Sequence, residues 1–584
     1  IGAGSDASDR RDFVVDWVRG TTPERADARL GDIYHSSPVA VGPPRLDIAD
    51  ESYNLFRRLP GVADRPTMLY VGTNDGILHA FVAEDWESAD GSETLDAGTE
   101  LWGFIPPILL SKLESAAASH QVMLDGTPVV RDVFFERQPG AAPSGGIYRT
   151  VLVMGFRGGA TGYFALDITD PREPKFLWQF VGSGGAGGGT AYGSSYGTPT
   201  IGQVLIDIGG GLEERAVAVL PGGTGELDES RALAAGPSGC PVPGLPPQVT
   251  RNTTGVRGSV RCWKTPGRVL TFVDMATGEV LRSFGAATFS SPLTGGVALY
   301  PGDVGTTAER AFLTDADGVM WAVDFTSRRP ADWSVRPLHD IFWNAGATEG
   351  QPAHEPPVVT SDAEGNLVIL QGTGDIDRLD GAAANRVVSL TEIRTFASGA
   401  TPASYETELN WEIRLRPSEQ VTGAIELFEG TAYFASFEGS PSASDPCDLG
   451  QGRIWGVSFR DNGGTPPAGY ADVLGGFFPQ PGFEETPGTG VLEDHFRGPF
   501  ENRVVLGVGV TQRPTCVEGT TVPDVYIPTR FRVNNVGGGT FQLTAQLSGG
   551  SAGASDGAIE TVTETLRAPE SFTTVSAFAS QVDF

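Results

Sequence analysis

The chain is 584 residues long, with a formal net charge of −31, 40% apolar residues, 79 glycines and 42 prolines. That charge excludes a nucleic-acid face, which needs a basic surface, and disfavours docking on anionic lipid. The apolar content supplies a large core and the Gly/Pro load suits many turns between short strands, while no apolar run reaches the roughly 18 residues that span a membrane.

In chain order, residues 9–19 read as a short amphipathic helix, with Phe13, Val14, Trp17 and Val18 on one face and Gly20 as its stop. A first group of short strands spans about 31–107 and carries a polar, acidic hairpin insertion at 84–100. Residues 107–118 read as helical, with Ile108, Leu109 and Leu113 on one side. A second strand group follows Thr127 and closes on Phe176-Leu177-Trp178-Gln179-Phe180. The third starts near Thr198, is interrupted by an irregular insertion at 222–264, and ends over 272–281. Further groups fall at 291–338, 356–415 and 421–459, with 504–528 a seventh or its start. Beyond them 531–547 alternates like a hairpin, and the Gly/Ser/Ala stretch 548–557 reads as a linker.

Two phrases unify these groups. Ser37-Pro38-Val39, Thr127-Pro128-Val129, Thr198-Pro199-Thr200 and Ser291-Pro292-Leu293 each place a proline where a strand begins, the position its missing donor allows. Tight turns between apolar runs then mark hairpins, as in Thr73-Asn74-Asp75-Gly76-Ile77 and Asp315-Ala316-Asp317-Gly318-Val319. Repeated hairpin sheets point to an all-β fold, a six- to seven-bladed β-propeller with long loop insertions and a few short helices. Trp102, Trp178, Trp321 and Trp455 recur about once per blade, as packing between neighbouring blades requires. The organisation expected is a lead-in at 1–30, the propeller at 31–530, and a hairpin and tail at 531–584.

The four cysteines form two local pairs by position: Cys240 with Cys262 across the 222–264 insertion, and Cys447 with Cys516 in later loops. Neither pair has the spacing of a zinc site, and disulfides stapling long loops are favoured over free buried thiols, which implies a periplasmic or extracellular setting. No basic-then-apolar signal opens the chain and Ile1 is not an initiator, so it reads as a mature product or a fragment.

Leu30-Gly31-Asp32-Ile33-Tyr34-His35-Ser36-Ser37-Pro38-Val39, the Tyr70–Phe81 hairpin and Glu100-Leu101-Trp102-Gly103-Phe104-Ile105-Pro106-Pro107 closely resemble the PilY1 family of type IV pilus-associated proteins. So do Gly162-Tyr163-Phe164-Ala165-Leu166-Asp167-Ile168-Thr169-Asp170-Pro171 and the 315–324 hairpin, with the match running from about Asp12 to Pro528. The resemblance is to the C-terminal, quinoprotein-like propeller of that family. It implies a non-enzymatic exported protein at the pilus tip that binds minor pilins, promotes pilus assembly or opposes retraction, and supports twitching motility and adhesion to host or abiotic surfaces. Many family members carry an Asp-rich calcium loop before the Asp-x-x-Gly turn. Here Asp303 and Glu309 fall at family ligand positions, while Pro301 and Gly305 replace two other acids. Calcium wants six to eight oxygens, so two carboxylates hold it weakly, and the expected cofactor set is none.

Other constellations favour plain readings. Gly193-Ser194-Ser195-Tyr196-Gly197 matches a nucleophile elbow, but a glycine-rich loop precedes it and a strand follows. Gly182-Ser183-Gly184-Gly185-Ala186-Gly187 has no helix after it to hold a phosphate. Asp375, Asp377 and Asp380 read as a solvated loop, and His35 and His79 as hydrogen-bond ties between loop and strand. The rival functions are an exported pyrroloquinoline-quinone dehydrogenase, against which no Cys-Cys dipeptide exists, and a glycan- or host-binding propeller.

Overall fold

The computed structural model describes residues 7–566 apart from 182–190, 244–254, 376–383, 396–403, 441–449, 461–495, 513–540, 549–559 and single positions 24, 27, 28, 47, 208, 363, 429 and 502. Strands dominate, and the propeller class read from the sequence is the fold observed. Two compact units divide the chain, Ile1–Val359 and Thr360–Phe584.

In the first unit, blade 1 pairs Val39–Val41, Met68–Gly72, Leu78–Val82 and Glu100–Phe104 in that order. Blade 2 is built from Val129–Phe134, Tyr148–Gly155, Gly162–Asp167 and Lys175–Val181, blade 3 from Thr200–Asp207, Leu212–Pro221, Leu270–Asp274 and Val280–Phe284. Blade 4 uses Ala298–Tyr300, Arg310–Thr314, Val319–Asp324 and Ser334–Asp340. Middle strands such as Leu152, Phe164, Val217, Phe272, Phe312 and Trp321 are buried on both faces, the arrangement in which sheets stack on sheets. The tryptophans do more than pack. Trp102 Nε1 donates to the Pro171 carbonyl (2.8 Å) and Trp178 Nε1 to the Met275 carbonyl (2.8 Å), tying blade 1 to blade 2 and blade 2 to blade 3.

Two accessory segments pack on these blades. Helix α1 (Ala7–Val18) buries Trp17 against the blade 1–blade 2 core, with Gly20 at φ +66 ending it. Residues 107–118 form a 3-10 turn, Pro107–Lys112, followed by a short α-helix, Leu113–Ala118.

In the second unit, Leu367–Gly372, Arg386–Thr395 and Ser404–Arg414 belong to blade 5, whose first strand, Val358–Ser361, contains the division. Blade 6 pairs Glu419–Val421, Thr431–Gly439, Gly450–Ser458 and Phe496–Glu501. The seventh sheet has three strands: Val504–Gln512 pairs with Phe541–Ser548, which pairs with Glu560–Leu566. Of the alternating 531–547 stretch, the described part from Phe541 onward hydrogen-bonds to the Val504 strand, and Leu543, Ala545 and Leu547 share a core with Val505, Tyr433 and Ile454; residues 531–540 lie outside the described residues.

Cys240 and Cys262 are disulfide-bonded across a separation of 22 residues, beside the small ladder Cys240–Pro241 with Ser259–Val260. Cys447 and Cys516 lie outside the described residues. Closing a loop of this length removes unfolded-state entropy, so reduction, or Cys240→Ser with Cys262→Ser, is expected to cost about 3 kcal/mol by thermal or urea unfolding. An unchanged midpoint under reducing agent would show that the staple contributes nothing.

Candidate functional site

The Asp-Gly hairpin turns are where sequence logic meets tertiary structure. In blade 1 the Thr73 amide bonds to the Ile77 carbonyl (3.0 Å), in blade 4 the Asp315 amide to Val319 (3.0 Å), and in blade 5 the Asp362 amide to Asn366 (2.9 Å). Gly76, Gly318 and Gly365 close these turns at φ +89, +79 and +83, a region a side chain resists. Each turn holds an acid two residues after its first position, and each acid receives an arginine from far along the chain. Arg25 meets Asp75 at 2.6 Å, Arg261 meets Asp317, and Arg460 meets Glu364 at 2.6 Å. Asp75 and Asp317 are buried and need such a partner, while Glu364 is exposed; sequence periodicity cannot say which arginine supplies it.

Blade 4 carries the densest version. Asp315 is fully buried and accepts from Trp321 Nε1 (2.9 Å) and the amides of Asp317 and Val319. Burial pushes its carboxyl well above the usual range, and the neighbouring Asp317 charge adds to that. Asp317 accepts from Arg261, Ser291 and Trp263 Nε1. The C-terminal end of the 222–264 insertion, at Arg261 and Trp263, is thereby clasped to blade 4. The insertion's outer part, the short helix Glu229–Ala235 capped by Asp228, stands in solvent, with Leu233 85% and Leu227 46% exposed. The 84–100 insertion is a small hairpin, Trp86–Glu87 against Thr94–Leu95, whose exposed Asp90 is held down to about 2 by the hydroxyl and amide of Ser92 and the Ser88 hydroxyl.

The loop carrying Asp303 and Glu309 leaves Ala298–Tyr300 and crosses to blades 1 and 2. Val304 packs against the cluster formed by Tyr53, Phe56, Val62, Phe134 and Tyr148. Gly305 sits at φ +83, where a Cβ would lie 3.1 Å from Ile48 Cδ1, so glycine rather than an acid is dictated by backbone and space. Arg131 donates to the Gly302 carbonyl, and the Asp303 and Asp132 charges oppose the burial that pulls its guanidinium's pKa down. The Asp303 side chain is exposed, whereas Glu309 faces Arg328 at 4.0 Å. Among the described residues no three His, Cys, Asp or Glu side chains converge as a metal set.

The same loop forms one side of an open cavity of about 550 Å³. Its walls come from Val39–Val41, Val129–Val130, Thr200 and Ile201, with Pro43, Pro44 and Leu46 beyond, and Gly302–Val304 on the far side. Polar groups at its wall are Arg45, Arg65, Arg131, Asp132, Tyr53, Thr150 and Asp303. Arg65 is spent on the protein itself: it donates to the carbonyls of Gly42 (2.7 Å) and Thr169 (3.1 Å) and to Thr150 Oγ1 (2.8 Å). Thr150 and Tyr53 hydroxyls in turn donate to Asp132, at 2.6 and 3.1 Å.

Below the cavity Asp50 joins four elements. It caps helix α2 (Glu51–Phe56) by accepting the Tyr53 amide (3.1 Å), accepts the Tyr148 hydroxyl (3.1 Å), and pairs with Arg137, which also binds Glu214 of blade 3. Burial pushes its carboxyl up, but the Arg137 bond and charge, the amide and the hydroxyl outweigh it and hold it below the ordinary value. A depressed folded pKa gives stability that is present above about pH 4 and lost as pH falls further. Asp50→Asn is expected to cost about 1.5–3 kcal/mol at pH 7 and to flatten the acid limb of a plot of Tm against pH. Parallel limbs for the two proteins would refute that role.

Other residues singled out by sequence are structural ties. Ser195 of the elbow-like motif is buried, accepting the Phe156 amide (3.0 Å) and donating to the Ala160 carbonyl (3.3 Å). His35 bonds Asp125 through Nδ1 (2.6 Å), and His79 bonds Glu100 (2.7 Å). The glycine-rich 182–187 motif and Asp377 and Asp380 lie outside the described residues. No helix among the described residues is long and apolar enough to cross a membrane.

No family model matches the chain. Over 184 residues it is 34% identical to a type IV pilus biogenesis factor PilY1 of Pseudomonas aeruginosa, covering 29% of this chain and 14% of that protein. Over 160 residues it is 31% identical to a PilY1 homolog of Xylella fastidiosa, covering 26% and 11%. The alignments thus span about a seventh or less of those proteins' lengths. The solved C-terminal domain of P. aeruginosa PilY1 is similar at a TM-score of 0.46 and 17% identity, covering 74% of this chain and 88% of that one.

Proposed function

We propose that this chain, which belongs to the PilY1 family, is the propeller part of a type IV pilus biogenesis factor that works outside the cytoplasm without an active centre of its own. The observation that carries this reading is the 34% identity over 184 residues to a protein named for that role. In this reading the blades are a rigid platform, and the acidic 84–100 hairpin and the stapled 222–264 insertion meet minor pilins at the pilus tip. Protected blade edges and variable insertions suit a platform that binds through its loops. The Ser195 hydroxyl and the Asp315–Asp317 pair support the non-enzymatic part, because hydrogen bonds within the fold already use them.

Deleting the coding region in its own host is expected to reduce surface piliation and twitching, and the chain to co-purify with that host's minor pilins. Normal piliation and motility, in a strain without a second copy, would overturn the proposal. Calcium is not required in this reading: Arg131 supplies a positive charge beside Gly302 and Asp303. Chelation with EGTA is expected to leave Tm within about 1 °C, since only a ligand bound to the folded state shifts it. A drop of several degrees would restore a metal role for Asp303 and Glu309.

A further inference from the structure

We propose that the cavity between the first strands of blades 1 to 3 and the 302–304 loop binds a carboxylate group carried on an apolar body, with Arg131 as its anchor. At about 550 Å³ it falls within the range of about 300–1,000 Å³ typical of ligand sites. Its walls combine an apolar part, Val39, Val41, Val129, Val130, Ile201 and Val304, with the seven polar side chains named above.

The charges divide into spent and unspent. Arg65 and Asp132 are consumed by Gly42, Thr150, Thr169 and Tyr53, as described above. Arg131 is different. A guanidinium offers five N–H donors, and the described hydrogen bond of Arg131 uses one, on the Gly302 carbonyl. Arg45 lines the same cavity, is exposed, and has no described polar contact. Against these two cations stands Asp303, an exposed carboxylate on a loop. The uncommitted groups therefore carry a net positive charge, inside a chain whose formal charge is −31.

That contrast selects the ligand. A planar guanidinium matches a carboxylate through two parallel hydrogen bonds. The surrounding negative field repels a doubly charged phosphate more than a singly charged carboxylate. The apolar walls reward a body such as an aliphatic or aromatic group. Two sources share this chemistry, a small organic acid and the free C-terminus of an extended polypeptide. The latter would lie along Val39–Val41 and Val129–Phe134, both edge strands of their sheets.

The test is calorimetric titration of the 584-residue chain with N-acetyl-Val-Ile-Val bearing a free carboxylate, the same peptide amidated, 3-phenylpropionate, and inorganic phosphate. The free acid is expected to bind at least about ten-fold more tightly than the amide. Arg131→Gln should abolish that preference, and Ala40→Trp, which fills the cavity while leaving Arg131 in place, should weaken every organic probe. Phenylpropionate binding as well as the peptide acid assigns a small-molecule source, and clear preference for the peptide acid assigns a chain terminus; both uphold the site. Equal affinity for acid and amide, tighter binding of phosphate, absence of heat from every probe, or full binding to the Ala40→Trp protein would each overturn it. If Arg131→Gln fails to fold by circular dichroism, the Ala40→Trp result decides.

Discussion

Replacing Arg257 with alanine is expected to lower the stability of the chain by about 3–5 kcal/mol, because it strands a buried carboxylate. Arg257 donates from Nε (2.7 Å) and its amide (3.2 Å) to Asp340, which is fully buried. Its other nitrogens reach the carbonyls of Gly346 (2.9 Å), Glu349 (2.5 Å) and Asp317 (3.1 Å). One side chain thus fastens the disulfide-stapled insertion to blade 4. Burial raises the Asp340 carboxyl's pKa, while Arg257 lowers it. Without Arg257 it rises further, and a raised folded pKa gives stability that is present below about pH 4 and lost as pH climbs. The deficit of Arg257→Ala should therefore be greatest at neutral pH and shrink toward pH 4. Urea unfolding at pH 7 and pH 5 would measure both, with Asp340→Asn added to test recovery through a double-mutant cycle. A loss under about 1 kcal/mol, or one independent of pH, would mean that the pair is screened by solvent.

Gly193→Ala is the second large effect, on the order of 3 kcal/mol from overpacking and two disturbed hydrogen bonds. A Cβ at Gly193 would fall 1.6 Å from the Thr224 carbonyl oxygen, and one at Gly223 would fall 2.0 Å from the Ser194 carbonyl oxygen. The two backbones are laced together by Gly193 N–H to Gly222 (2.9 Å) and Thr224 N–H to Ser194 (2.9 Å). The glycine of the elbow-like motif is thus required by a neighbouring backbone, not by an exposed nucleophile. Thermal unfolding of Gly193→Ala beside Ser195→Ala separates the two ideas. Ser195→Ala should cost less, about 1–3 kcal/mol, because its buried hydroxyl serves the Phe156 amide and the Ala160 carbonyl. A Gly193→Ala protein as stable as wild type would show that the segments part easily.

Much of the fold was legible because its signals are local. Thr73-Asn74-Asp75-Gly76 and Asp315-Ala316-Asp317-Gly318 specify turns within four residues, and Pro38, Pro128 and Pro199 directly precede the first strands of blades 1 to 3, whereas Pro292 falls six residues before the blade 4 strand at Ala298. The N-terminal helix and its buried Trp17 follow from 3.6-residue spacing. The candidate site was not legible in this way. Asp303 and Glu309 stood out through resemblance, yet the loop is shaped by Val304 among four aromatic rings and by Arg131, 171 residues earlier than Gly302. A weak signal did exist: an acid enclosed by apolar strands, such as Asp317, must find a cation somewhere.

By itself, then, the amino-acid order determined strand starts, turns, the blade repeat and the family resemblance, since each depends on torsion preferences and polarity over a few neighbouring positions. Tertiary structure alone decided that Arg25, Arg261 and Arg460 lock the turns, that the 257–263 part of the insertion is clasped to blade 4, and that a cavity opens beside Arg131. The reason is physical: charge pairing and enclosed volume depend on which distant segments share space, and the Arg261–Asp317 pair is brought together by packing across 56 residues rather than by local pattern.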